Sequence, residues 1–513
     1  MTGDSLTRER LGRLEEEQVQ ASARTPALDR WIASLGLLGL CTLLAASICL
    51  GLAFLRPRVL ADASRLSLLF GGMLVLLVAA AFLSTTFPRF TVLVAMSVVV
   101  VASASLSLLY DRRIAVVVAV GQSVMLALAL GESLAFSLAI LLTASSYSWL
   151  LRDVRHRSTV VRATFIAALI GAVAVGSVGL VVTPFGLSGA LQVLGNAAMA
   201  AGGVIVTGFL LVGFLPTLER MLGVITGLTL AELRDPRQPL LRQLQQKAPG
   251  TWTHSLQVAN IAEAAAEAIG ADGLLAYVGA LYHDIGKMNK PGYFVENQAD
   301  GENRHDAITP AMSLLVIIGH VKDGVELAAE YRLPRAVRHM IESHHGTTMV
   351  EYFFHLAQRR AARAGDEATE IDENAFRYPG PRPRTREAAI LLVCDASESA
   401  ARTLADPTPA RIEQLVRSIS RRRLEDGQFD DSPLTFRELR AVEDSIAKSL
   451  GSIYHGRIVY PSTSREAMDT DDDARERVGE GDSEAPRGDD AGDARDPRAP
   501  GKQPTPGSRR AVA

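Results

Sequence analysis

Seven side chains in the second half of the chain have the chemistry to hold metal: His254, His283, Asp284, His320, His344, His345 and Asp395. All are imidazoles or carboxylates. Two are adjacent within His283-Asp284-Ile285-Gly286-Lys287, and His344-His345 is a doublet. Such ligands suit manganese, iron or zinc, and there are enough here for two ions. Two metals a few Å apart activate a water and clamp a phosphoryl group during in-line displacement. The chemistry implied is metal-dependent hydrolysis of a phosphate ester. The histidine distribution agrees: of ten, only His156 precedes residue 254.

Ligands this far apart meet only if packed helices bring their ends together. His254 is expected to open one helix and His283-Asp284 to close the next. Asp284 is the natural bridge, because a carboxylate offers one oxygen to each ion while a neutral imidazole gives one nitrogen to one ion. The partition expected is His254, His283, Asp284 and Asp395 on the first ion, and Asp284, His320, His344 and His345 on the second. Lys287, three residues after Asp284, is expected to point toward the phosphate; Asp284 and Lys287 are the catalytic candidates. Lys322 and Asp323 are expected to support the site from behind. A single histidine on a helix is more often a satisfied polar residue, and His305, His339, His355 and His455 are read that way.

The elements that must do this positioning are helical. From 251 to 461, helices are expected at 254–269, 274–282, 309–331, 334–343, 349–364, 385–404 and 409–424. Gly270 caps the first, and prolines 310, 334 and 409 suit first turns. No alternating strand run is persuasive. Residues 217–250 read as an amphipathic linker, with Leu218, Met221, Leu222 and Ile225 at helical spacing. Its role as a spacer is slightly favoured over transmission of movement. Residues 462–513 are rich in Asp, Glu, Arg, Gly and Pro and are expected to be disordered.

The first half is of another kind. A net charge of -3 over 513 residues hides an apolar stretch from 32 to 216, after a polar segment at 1–31. Seven runs approach the roughly 20 residues needed to cross a bilayer: 32–55, 66–87, 90–109, 114–130, 133–151, 163–184 and 190–215. Arginines at 56, 58 and 65, at 112 and 113, and at 152, 155, 157 and 162 mark alternate loops as cytoplasmic. Seven crossings then place the second half in the cytosol and the N-terminus outside. The arginines at 8, 10, 13, 24 and 30 pull the other way. Glu132 is read as a residue of a short external turn rather than an ion site. The three cysteines suggest no disulfide framework. The fold class is all-α: a polytopic transmembrane bundle followed by a cytosolic helical domain at 251–461.

The spacing resembles the HD phosphohydrolase superfamily at His254, His283-Asp284, His320, His344-His345 and Asp395. The flanks are similar to its membrane-bound branch, the seven-transmembrane-receptor HD proteins. They include Gly250-Thr251-Trp252-Thr253-His254, Glu296-Asn297-Gln298, His344-His345-Gly346-Thr347-Thr348, Phe376-Arg377-Tyr378-Pro379-Gly380-Pro381 and Arg423-Leu424-Glu425-Asp426-Gly427-Gln428. The resemblance implies a phosphodiesterase of the cytoplasmic membrane that hydrolyses cyclic di-AMP to linear pApA, with two divalent ions, iron or manganese, bridging a hydroxide. The Gly-Tyr-Pro signature of the cyclic di-GMP branch does not follow the HD motif at its usual place. Relatives carry a further transmembrane helix and a large extracellular domain ahead of the bundle. Here about 30 residues precede the first apolar run, so extracellular ligand sensing is not expected. The partners implied are a cyclic dinucleotide and the bilayer, with no nucleic-acid polymer; a homo-oligomer is left open. Two alternatives stand: a membrane receptor or transporter whose HD domain only binds a nucleotide, and an HD hydrolase for cyclic di-GMP or another nucleotide.

Overall fold

The computed structural model describes residues 27–55, 63–152, 154–184, 186–298, 303–363 and 371–455, with residues 12–13 and 16–17. Arg8, Arg10, Arg24, Arg56 and Arg58, and the tail expected to be disordered, lie outside the described residues. Among the described residues there is no β-strand, only an isolated bridge between Met349 and Arg377.

The apolar half forms α1 (Ala27–Leu55), α2 (Ala63–Thr86), α3 (Thr91–Leu109), α4 (Arg112–Leu130), α5 (Leu134–Leu150), α6 (Arg157–Val182) and α7 (Leu187–Leu222). Six of these are long and apolar enough to span a membrane by length and composition. The other, α5, is apolar but has only 17 residues. The break between α4 and α5 is real: Gly131 turns the chain with φ of 69°, and Ser133 caps α5 by accepting from Phe136 N–H. Glu132 is exposed in that turn. Polar links tie the bundle internally, among them Tyr147 Oη to Thr164 Oγ1 at 2.7 Å and Ser97 Oγ donating to Gly203 O.

Two boundaries in this half differ most from the sequence expectation. Helix α6 begins at Arg157 rather than 163, and α7 runs to Leu222 rather than 215. Helix α7 carries Pro216 in its interior. A proline there removes a backbone donor. Burial of Leu215 beside Leu109 and Leu228, with Leu218 and Leu222 packed on them, keeps the helix going regardless.

The segment read as a linker is built into the next core. It forms α8 (Gly227–Leu233) and α9 (Pro239–Lys247), with Pro239 in the first turn. Leu230, Leu240, Leu241 and Leu244 are buried in one cluster with Val258, Val278, Leu281 and Ile390. Of the residues whose spacing looked amphipathic, Leu218 and Leu222 pack at the end of the bundle, Met221 is exposed, and Ile225 packs on this core.

That domain continues with α10 (Pro249–Ala268), α11 (Gly273–Tyr282), α12 (Pro310–Glu330), α13 (Arg335–Ser343), α14 (Glu351–Arg363), α15 (Arg386–Ala401), α16 (Pro409–Glu425) and α17 (Phe436–His455). Asp272, Thr309, Thr385 and Thr408 each accept a backbone N–H at a helix start. Such caps contribute about 1 kcal/mol each. Helix α17 was absent from the sequence expectation. Its signal was present: Leu439, Val442, Ile446 and Leu450 recur at helical spacing and are all buried in the shared core.

Candidate metal centre

Helix α10 starts five residues ahead of His254, so that histidine sits in its second turn rather than at its opening. Buried Val258, Ala262 and Ala265 anchor the helix below it. Helix α11 is buried along its length except at Leu275 and stops at Tyr282, which delivers His283 and Asp284 into the interior. A short 3₁₀ turn, Ile285–Asn289, follows. Gly286 is required there: a Cβ on it would stand 1.9 Å from the carbonyl oxygen of His320. This approach is what seats the turn against α12 and brings His320 to Asp284. His344 and His345 follow α13, where Gly346 turns the chain with φ of 53°. Asp395 lies in the middle of the buried helix α15.

The seven side chains form one cluster with Asp284 at its centre. His283 Nε2 is 3.2 Å and His254 Nε2 3.7 Å from Asp284 Oδ2. On the other oxygen, Oδ1, His320 Nε2 is at 3.3 Å and His344 Nε2 at 3.6 Å. Asp395 Oδ1 is 3.0 Å from His254 Nε2 and 3.7 Å from His283 Nε2. His345 Nδ1 lies 3.6 Å from Asp395 Oδ2. Three sets have donor atoms within 4.8 Å of one another: His254, His283 and Asp395; His283, Asp284 and His344; and His320, His344 and His345. The two carboxylate oxygens of Asp284 thus face two different groups of imidazoles.

The imidazoles are oriented from behind. His283, His320 and His344 each donate Nδ1–H to the carbonyl three residues earlier, at Ala280, Ile317 and Ile341. This fixes the tautomer and turns each Nε2 lone pair to the centre. His254 is held differently: its Nδ1–H faces the carboxylate of Glu398, which in turn accepts from Arg402. The sequence reading missed Glu398. It lies three residues after Asp395, hence on the same face of α15, and that spacing was the available signal. Tyr378 was also missed as a site residue: its ring stacks on His345 with centroids 4.3 Å apart. The loop carrying His345 is pinned by buried Gln428, whose Oε1 accepts from Thr347 N–H and whose amide donates to Asp426.

Electrostatics fit a cation. Burial pushes the Asp284 carboxyl up, but His283 and Lys287 outweigh it and hold it well below the usual carboxylate range. Asp395 is likewise pushed up by burial and held low by His254 and His283. His283 would be lowered by burial, yet Asp284 and Asp395 raise it to about 10. Burial takes His344 down to about 3, and the neighbouring His283 adds to the effect. His345 is also driven well below its ordinary value, first by burial and then by His344. The carboxylates of Asp284 and Asp395 therefore stay ionised in the interior, with the Lys287 ammonium against Asp284. His283 Nε2 and Asp284 Oδ1 are buried without a hydrogen-bond partner. Orphaned atoms of that kind, beside neutral imidazoles, suit divalent cations that displace protons on entry.

Lys287 does not point into open space. Its ammonium is 2.6 Å from Asp284 Oδ2 and 3.0 Å from Glu296 Oε1. A buried ammonium needs counter-charge, and Glu296 supplies half of it. Glu296 also accepts from Thr251 Oγ1, which ties the loop to α10. Lys322 is a correction to the sequence reading: it is exposed and pairs with Glu326, away from the centre. The histidines set aside as bland fit that reading where described: His305 Nε2 bonds to Tyr293 O, and His339 Nε2 accepts from Arg384 N–H. The side chain of His455 is outside the described residues.

Comparison with known proteins bears on both halves. Residues 31–226 match the family described as a 7TM receptor with intracellular HD hydrolase, and residues 251–400 match the HD domain. A *Bacillus subtilis* protein named cyclic-di-AMP phosphodiesterase PgpH is 43% identical over 254 residues, which is 50% of this chain and 35% of that protein. The *Listeria monocytogenes* protein of the same name is 38% identical over 324 residues, 63% of this chain and 44% of that protein. The chain therefore spans less than half the length of these two relatives. A crystal structure of the *L. monocytogenes* phosphodiesterase PgpH HD domain in complex with cyclic-di-AMP is 41% identical, covering 43% of this chain and 100% of that one, with a TM-score of 0.41.

Proposed function

For a chain that carries the two regions of the 7TM-receptor HD family, we infer a membrane-anchored, metal-dependent phosphodiesterase that cleaves a cyclic dinucleotide, cyclic di-AMP to pApA. The observation that carries this is Asp284: a buried carboxylate whose two oxygens each face their own imidazoles, with the Lys287 ammonium against Oδ2. The two *PgpH* relatives supply the substrate class by name.

In this reading His254, His283, Asp284 and Asp395 hold one ion, and Asp284, His320, His344 and His345 the other, with iron or manganese as the metals. Bound divalent cations supply an activated water and neutralise the phosphoryl oxygens. The chain's own residues do the rest. Glu398 and three backbone carbonyls fix the imidazole tautomers, so that lone pairs face inward without a search. Lys287, braced on Glu296, adds a positive charge at the Oδ2 edge of Asp284, where a phosphate oxygen would be received. Tyr378 and Phe294 flank the imidazoles of His345 and His320. The HD domain, with α8 and α9 packed into its core, would lie on the cytosolic side of the cytoplasmic membrane, a side supported by the arginines at 112, 113, 152, 155 and 157.

The test is product identification. The purified full chain, supplied with manganese or ferrous iron, is incubated separately with cyclic di-AMP, cyclic di-GMP and ATP. Linear pApA as the main product supports the reading. Turnover of cyclic di-GMP or ATP in preference would retain the hydrolase and replace the substrate, and binding of all three without turnover would leave a nucleotide receptor.

A further inference from the structure

A lateral groove of about 500 Å³ opens between α2, α3 and α7. Its walls include Leu68, Gly72 and Leu76 from α2, Ala102 from α3, and Phe214 and Leu218 from α7. The lining side chains are apolar apart from the hydroxyls of Ser105 and Tyr110. Leu68, Phe214 and Met221 at its rim are exposed, so it opens outward from the bundle, toward where lipid lies in a membrane protein. Water has too few partners on such walls to fill it. Along α7 the groove runs from Leu210 to Leu222, a rise of about 18 Å. One leaflet of a hydrocarbon core about 30 Å thick is about 15 Å deep. The groove ends where α3 and α7 end, at Leu109 and Leu222, beside the helices that lead to the metal centre.

We propose that this groove binds one acyl chain of a bilayer lipid from the leaflet on the HD-domain side, and that its occupancy is communicated to the metal centre through α8. The coupling is a chain of contacts. Leu109, Tyr110, Leu218 and Leu222, which line the inner end of the groove, also pack with Leu228 and Val224 at the start of α8. Helix α8 is clamped on the bundle side. The buried Glu219 carboxylate accepts from Thr226 N–H at 2.8 Å and Thr229 Oγ1 at 2.7 Å, and Arg157 pairs with Glu232 at 2.8 Å. It is clamped equally on the other side. Leu230 is in the HD core, Arg234 grips Glu263 at 2.9 and 3.0 Å while lying over the Tyr277 ring, and Tyr282 Oη donates to Leu233 O at 3.0 Å. Tyr282 immediately precedes His283. A shift of α8 therefore acts on the helix end that presents His283 and Asp284.

Glycines provide the test. A Cβ at Gly72 or at its neighbour Gly71 meets nothing within 4 Å, but only Gly72 lines the groove. The full chain, wild type and as Gly72→Trp and Gly71→Trp, is placed in vesicles containing a phospholipid with a photoreactive group in one acyl chain. Adducts within 68–76 and 210–222 that are competed by unlabelled phospholipid, lost in Gly72→Trp and kept in Gly71→Trp are the expected result. Adducts spread evenly over the outer helices and unaffected by Gly72→Trp would mean ordinary annular lipid and overturn the site. Hydrogen exchange of amides 226–234 in the same samples reads the coupling. A change in Gly72→Trp alone supports it, and identical exchange in all three chains overturns it. Neither readout requires catalysis, so these outcomes are independent of the proposed activity.

Discussion

Glu398 is the residue whose role the sequence hid and the packing revealed. It touches His254 on the side away from the centre and is itself held by Arg402. Loss of such a supporting carboxylate typically weakens metal affinity 10- to 100-fold, roughly, by freeing the imidazole to rotate and lowering its basicity. Glu398→Gln is predicted to show that loss in a competition titration against a metal-binding dye while remaining folded; affinity equal to wild type would make Glu398 a structural residue only. Lys287 gives a contrasting case. Lys287→Ala is predicted to retain metal but turn over more slowly at saturating substrate, because it removes a charge beside the reacting phosphate rather than a ligand. Turnover at the wild-type rate would assign Lys287 to balancing Asp284 and Glu296. The residues that converge were legible because their chemistry is unusual in combination. Their supports were not, because a carboxylate behind a histidine looks like any surface acid until the helices are packed.

At the scale of elements, periodicity located most helices to within a few residues, and burial explains the exceptions. Helix α7 outruns its expected end because Leu218 and Leu222 find apolar partners beyond the membrane stretch. Helix α17 was overlooked because its apolar residues are diluted by charge, yet Ile446 is fully buried. Ile446→Ala is predicted to destabilise the domain by about 2–5 kcal/mol, the usual cost of emptying a packed site. Thermal unfolding of the full chain checks this, and a midpoint unchanged from wild type would show that α17 is not part of the core. The connector was the hardest element to read. An amphipathic stripe is the same whether it faces solvent, lipid or a domain downstream, and only the shared burial of Leu230, Leu241 and Val258 distinguishes these.

At the scale of the whole molecule, the reading joins a membrane bundle to a hydrolytic centre on its cytosolic side. Topology is open to a direct check, because Glu132 is exposed in the turn after α4 and Lys322 is exposed on the HD domain. In a background lacking Cys41 and Cys49, Glu132→Cys is predicted to react with an impermeant thiol reagent on intact cells, and Lys322→Cys only after permeabilisation. The opposite pattern would invert the protein. Everything catalytic in this account nevertheless rests on Asp284 being shared by two ions. The decisive measurement is the metal content of the purified full chain and of its Asp284→Ala variant after supply of manganese or ferrous iron. The account predicts two ions per chain in the wild type and neither in the variant; a variant that keeps both, or a folded wild type that holds none, would contradict it.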